Sequence, residues 1–111
     1  MKLAFGVDKP DKHGAILRTK GEIDLDNSQT LKNKITELVD LGNELIVLDL
    51  GEVTFIDSSG ISMLVSSLKM AAESDCELQL AALKPSVFKV LQLTGVDRVF
   101  VICDSPQDSF S

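Results

Sequence analysis

Asp57-Ser58-Ser59-Gly60 sets a carboxylate and two hydroxyls in a row, followed by a residue with no side chain. An apolar run, Glu44-Leu45-Ile46-Val47-Leu48-Asp49-Leu50, precedes this block, and Ile61, Leu64, Val65, Leu68 and Ala72 recur after it at helical spacing. The three polar groups are therefore expected at the N-terminal end of a helix, where unpaired backbone N–H groups and the helix dipole favour negative charge. Four chemistries suit such a corner: a helix cap, an anion pocket, a nucleophile mount or a phosphoryl acceptor.

A cap needs only one of the three, and Asp and Ser are both good caps, each worth about 1 kcal/mol. Gly60 is a weaker helix former than Ala, and its missing Cβ would let a ligand or a partner's backbone come close. A serine hydrolase requires glycine two residues before the nucleophile, where this chain has Ile56 or Asp57. It also requires a base, and His13, the sole histidine, falls in an expected hairpin loop. A nucleotide loop would carry Lys after its last glycine; here Ile61 follows Gly60, and Asp57 would repel a bound phosphate. Gly21-Glu22-Ile23-Asp24 is likewise no dinucleotide fingerprint.

A phosphoryl acceptor accounts for more of the residues. Phosphoserine adds about −1.5 to −2 charges, which a helix N-terminus tolerates. A partner docked across the corner would instead have to desolvate that charge beside Asp57. At an effective dielectric of ~20, charges of −2 and −1 held ~6 Å apart repel by roughly 5 kcal/mol. About 4 kcal/mol is already a thousandfold in affinity. Such a corner suits a binding switch.

The elements that must hold it follow from periodicity and punctuation. Leu3 to Val7 reads as an edge strand, residues 8–14 as a hairpin loop dense in turn formers, and Ala15 to Gly21 as the returning strand. Leu31, Ile35, Leu38 and Val39 mark a first helix, with Asp26, Asn27 and Ser28 competing as its N-cap and Gly42 as its stop. Leu45 to Leu50 reads as a central strand and Leu78 to Ala81 as a short one. Pro85 opens a third helix with core positions Val87, Phe88 and Leu91, Gly95 lies past its end, and Val99 to Ile102 is the last strand. The expected fold is α/β: a mixed sheet of about five strands in the order ββαβαβαβ, with helices packed on it, forming one domain over residues 1–111.

Composition narrows the function classes. A chain of 111 residues with net charge −6 and only 11 scattered Lys and Arg is ill suited to nucleic acid, which demands clustered cations. No apolar run approaches the ~20 residues of a bilayer span, and no secretory signal is read, so a cytoplasmic protein with reduced cysteines is expected. Cys76 and Cys103 lie far apart without a nearby histidine, so neither a metal nor another cofactor is expected.

The blocks Gly21-Glu22-Ile23-Asp24, Asp49-Leu50, Val53-Thr54-Phe55-Ile56-Asp57-Ser58-Ser59-Gly60 and Leu93-Thr94-Gly95-Val96-Asp97-Arg98-Val99-Phe100 belong to a resemblance that runs over nearly the whole length. In these blocks the chain resembles the STAS-domain anti-sigma factor antagonists, the anti-anti-sigma factors of bacterial partner switching. The resemblance implies a STAS-like fold and a non-enzymatic regulator. Unphosphorylated, it would bind an anti-sigma factor serine kinase of histidine-kinase-like ATPase fold and release sigma; a serine phosphatase would reset it. Ser58 would be the phosphoacceptor, with Asp57, Ser59 and Gly60 shaping the corner and Asp24 facing the same partner. Ser62 stands where such antagonists often have glycine. With Ser66 and Lys69 it lies off the apolar stripe, on a face that is either solvated or in partner contact. Met63 and Met70, one heptad apart, cover either the core edge or a partner groove. Two other readings stay open: a STAS module of a stress-signalling scaffold or lipid-transport complex, and a nucleotide- or anion-binding sensor.

Overall fold

A computed structural model describes residues 2–110. Strands β1 (Ala4–Asp11), β2 (Gly14–Ile23), β3 (Leu45–Ile56), β4 (Glu77–Ala81) and β5 (Ile102–Cys103) form one sheet in the order β1-β2-β3-β4-β5. β1 runs antiparallel to β2, and every later pairing is parallel. Helices α1 (Ser28–Asp40), α2 (Ser58–Glu73) and α3 (Pro85–Thr94) fill the three crossovers. The expected mixed five-strand α/β architecture is the one found.

Side chains alternate across a strand, so each sheet face has its own core. Leu17, Ile46, Leu48, Leu50, Leu78 and Leu80 share the larger cluster with Leu31 and Ile35 of α1, Leu64 of α2 and Leu91 of α3. The other face buries Ile16, Val47 and Ala81, packed by Cys103 and Phe110 from the C-terminal segment.

Several element bounds differ from the sequence expectation. The hairpin loop contracts to a turn at Lys12 and His13, because Asp11 pairs with Gly14 and its Oδ1 accepts the His13 N–H at 2.8 Å. β3 does not stop at Leu50 but continues to Ile56, since β2 stays beside it as far as the Ile23–Ile56 pair. β4 accompanies β3 only to Asp49, so the last turn of sheet before the Ser58 corner is carried by β2 and β3. The expected strand over Val99–Ile102 is replaced by a 3-10 turn at Val96–Arg98 and the two-residue β5. Gly95, in the left-handed region at φ 76°, sends the chain from α3 straight into that turn. Phe100 is still buried, as a core residue outside any strand.

On α2 the buried face is rotated from the expected stripe. Gly60, Ile61, Met63, Leu64, Ser67 and Ala71 point inward, Val65 and Leu68 are half-buried, and Ala72 is exposed. Met63 is 5% exposed and therefore core, while Met70 packs against the core edge. Ser67 is wholly buried, with its hydroxyl 3.6 Å from the Met63 sulfur.

Candidate functional site: the Asp24–Asp57–Ser58 corner

The site is built where β2 and β3 end side by side. Ile23 and Ile56 are paired in register, and the Asp57 N–H donates to the Ile23 carbonyl at 3.1 Å. Asp24 and Asp57, the next residues of the two strands, are thereby brought to the same edge of the sheet.

Asp57 is extended (φ −104°, ψ −174°) and caps α2: its Oδ1 accepts the Gly60 N–H at 3.1 Å, and its carbonyl accepts the Ile61 N–H at 3.0 Å. The cap thus falls to Asp57, which leaves both serines free of that duty. Ser58 is exposed and Ser59 half-buried. Among the described residues neither hydroxyl has a hydrogen-bond partner. Ser58 Oγ is therefore exposed and unbonded at the start of a helix that the neighbouring carboxylate caps.

Gly60 has a different role from the one its sequence context suggested. It is buried, and a Cβ there would lie 2.5 Å from Ile56 Cγ1 and 2.8 Å from Ile23 Cγ2. The space left by the missing side chain is filled by the chain's own isoleucines, not held open for a partner. Gly60 lets the first turn of α2 sit down on the paired strand ends and so sets where Ser58 stands.

Asp24 is half-buried in a tight turn. Its Oδ1 accepts the N–H groups of Asp26 (3.0 Å) and Asn27 (3.2 Å). Asn27, expected only as a cap, makes no side-chain cap bond to α1. Instead its buried amide braces the turn, accepting from Asp24 N–H at 2.9 Å and donating to the Glu22 carbonyl at 2.7 Å. The Asp-x-Asp-Asn spacing was the available signal, because short polar side chains bond to nearby backbone in turns.

Along α2, Ser62 and Lys69 are exposed. Ser66 is half-buried, with its hydroxyl donating to the Met63 carbonyl at 3.1 Å. His13 lies in the hairpin turn, beside the start of β2, at the far end of that strand from Asp24. Cys76 is buried, and burial, with the Glu77 carboxylate as a lesser cause, pushes its thiol pKa up. Cys103 is half-buried, 3.2 Å from the Ser109 hydroxyl. No helix among the described residues is long and apolar enough to cross a membrane.

The model of the STAS domain family matches residues 6–109. The chain belongs to the STAS family. Among proteins similar to this STAS domain, BtrV of Bordetella bronchiseptica, named as a candidate anti-sigma factor antagonist, is 30% identical over 86 residues, covering 78% of this chain and 74% of its own. TM1081 of Thermotoga maritima, described as a candidate anti-sigma factor antagonist, superposes with a TM-score of 0.85 at 27% identity, over 96% of this chain and 91% of that one. The antagonist SpoIIAA in its unphosphorylated form gives a TM-score of 0.80 at 19% identity, covering 96% and 93%. It has also been solved phosphorylated, with a TM-score of 0.72 at 18% identity, covering 96% of each chain.

Proposed function

We propose that this STAS domain is an anti-sigma factor antagonist of the cytoplasm, a binding module rather than an enzyme, switched by phosphorylation of Ser58. The observation that carries the reading is the division of labour at the corner. Asp57 caps α2, so the Ser58 hydroxyl stands exposed and unbonded on a formed helix. The relatives named as anti-sigma factor antagonists supply the partner class. In this reading an anti-sigma factor kinase of histidine-kinase-like fold docks over Asp24, Asp57, Ser58 and Ser59, with Ser62 and Ser66 further along α2. Gly60 acts beneath that surface by setting the helix position.

When the kinase transfers the γ-phosphoryl group of ATP, Ser58 Oγ forms the new P–O bond, ADP leaves, and the hydroxyl proton passes to a base of the kinase. Asp57 contributes its fixed negative charge. The helix dipole accommodates the phosphate, but the docked partner does not, because it would have to bury that charge beside the Asp57 carboxylate. The complex dissociates until a serine phosphatase removes the group. SpoIIAA, of the same fold, is a precedent for a phosphorylated state.

Isothermal titration of the purified cognate kinase in MgADP tests this. Ser58→Ala should bind like wild type and accept no phosphate. Ser58→Asp should bind at least about tenfold more weakly, since 1.4 kcal/mol of the repulsion suffices. Ser59→Ala should remain phosphorylatable. Equal affinity of Ser58→Ala and Ser58→Asp, or phosphate found only on Ser59, defeats the assignment.

A further inference from the structure

Two large apolar side chains flank the corner without being buried. Leu25 is 75% exposed and Phe55 is 47% exposed. Single exposed apolar residues are ordinary, but the placement of these two is not scattered. Leu25 follows Asp24, and Phe55 stands two residues before Asp57, paired in register with Glu22. Neither exposure is a property of loose chain. Leu25 sits on the turn that Asn27 braces from both sides, with the Ser28 N–H also donating to the Asp24 carbonyl at 2.9 Å. Phe55 is on β3, where Ile56 beside it is locked in the core. A rigid apolar group loses little freedom on docking, which is what an interface anchor requires.

Charge decides what covers them. Residues 21–31 and 50–68 contain Glu22, Asp24, Asp26, Glu52 and Asp57 and not one Lys or Arg. Lys20 is opposite Glu52 in the register, and Lys2 lines a cavity with Asp26. Among the described residues no ion pair joins Glu22, Asp24 or Asp57 to a cation. A second copy of this chain, meeting the same patch about a twofold axis, would oppose carboxylate to carboxylate. An anionic lipid surface would be repelled in the same way. A protein face with an apolar centre and a basic rim fits.

We infer that Leu25 and Phe55 are the apolar anchors with which this corner holds its anti-sigma factor partner, and that the partner face opposite them is apolar and ringed by Lys or Arg. The inference rests on the antagonist reading and extends it to residues outside the Asp-Ser-Ser-Gly block. It also separates two jobs: Leu25 and Phe55 hold the partner, and Ser58 releases it.

The test is calorimetric titration of the purified cognate kinase, in MgADP, into wild type, Leu25→Ser, Phe55→Ser, the conservative pair Leu25→Met and Phe55→Leu, and Leu93→Ser. Leu93 is an equally exposed leucine on α3, at the end opposite its Pro85 start. Each serine variant at the corner should bind about tenfold or more weakly, with the conservative variants and Leu93→Ser within about twofold of wild type. Wild-type affinity should fall as salt is raised. Circular dichroism and thermal melts establish that each variant is folded, and where a serine variant is not, Leu25→Ala or Phe55→Ala carries the test with the same expected loss. If wild type binds and Ser58→Asp does not, while the corner serine variants bind within about twofold, the anchors are overturned and the antagonist reading stands. If wild type does not bind the kinase, both fall together.

Discussion

Asp57 serves structure and partner through different parts of one side chain. Its Oδ1 holds the Gly60 N–H, while its charge is what a docked phosphate would meet. Asn is as good an N-cap as Asp, so Asp57→Asn separates the two. It should change unfolding free energy by less than about 0.5 kcal/mol, whereas Asp57→Ala should lose about 1 kcal/mol. Urea denaturation of the two variants reads the difference directly. Asp57→Asn should also lessen the affinity gap between the unphosphorylated and phosphorylated forms. Gly60→Ala acts from below: a methyl group 2.5 Å from Ile56 Cγ1 must push α2 or both isoleucines aside, at about 1–3 kcal/mol. Its effect on kinase affinity would come through displacement of Ser58, since Gly60 itself is buried.

At the scale of elements, the site depends on two connections that leave the sheet at one edge, the β2–α1 turn and the β3–α2 junction. Removing the Asn27 amide frees the Asp24 N–H and the Glu22 carbonyl at once. Asn27→Ala should therefore cost about 1–3 kcal/mol in denaturant unfolding. Amide exchange at Asp24 should rise more than exchange in the middle of β2. Much of this level was legible beforehand. The run Leu45–Leu50 reads as a covered strand, and Pro85 and Gly95 bracket α3 as their backbone preferences dictate. The Asp-Ser-Ser-Gly block declared its own helix start. What stayed hidden was set by neighbours in space. Gly51 and Glu52 look like the end of a strand, yet β3 runs on because β2 offers it hydrogen bonds up to Ile23. Met63 and Ser67 turn inward because the rotation of α2 is fixed by Gly60 seated on Ile23 and Ile56, a contact between separate elements. Gly60 obeys the same logic: a missing Cβ in the sequence shows that something comes close, and only the fold shows that it is Ile56 and Ile23.

For the molecule as a whole, the helix-covered face carries the large core, while the opposite face relies on a small cluster closed by the last described residues. Phe110 packs on that cluster of Ile16, Val47 and Ala81, and Ser109 hydrogen-bonds Gln79. Phe110→Ala should lower stability by about 1–2 kcal/mol, measured by chemical denaturation, with kinase affinity unchanged. That outcome would place stability and recognition at different ends of the sheet. The C-terminal segment contributes to the fold, and the C-terminal edge of β2 and β3 contributes to the partner.

The sheet lists its strands in the order in which the chain supplies them. During synthesis, each strand leaving the ribosome therefore finds its neighbour already in place, and no gap has to be kept open for a later arrival. The drawback appears at the growing side. Until Ile102 and Cys103 emerge, β4 is a bare edge of five residues, four of them buried in the finished fold, and so a template for a strand from another nascent chain. Two residues of β5 are a thin closure for such an edge. They place the risk of misassembly in the interval between the emergence of β4 and its pairing with β5.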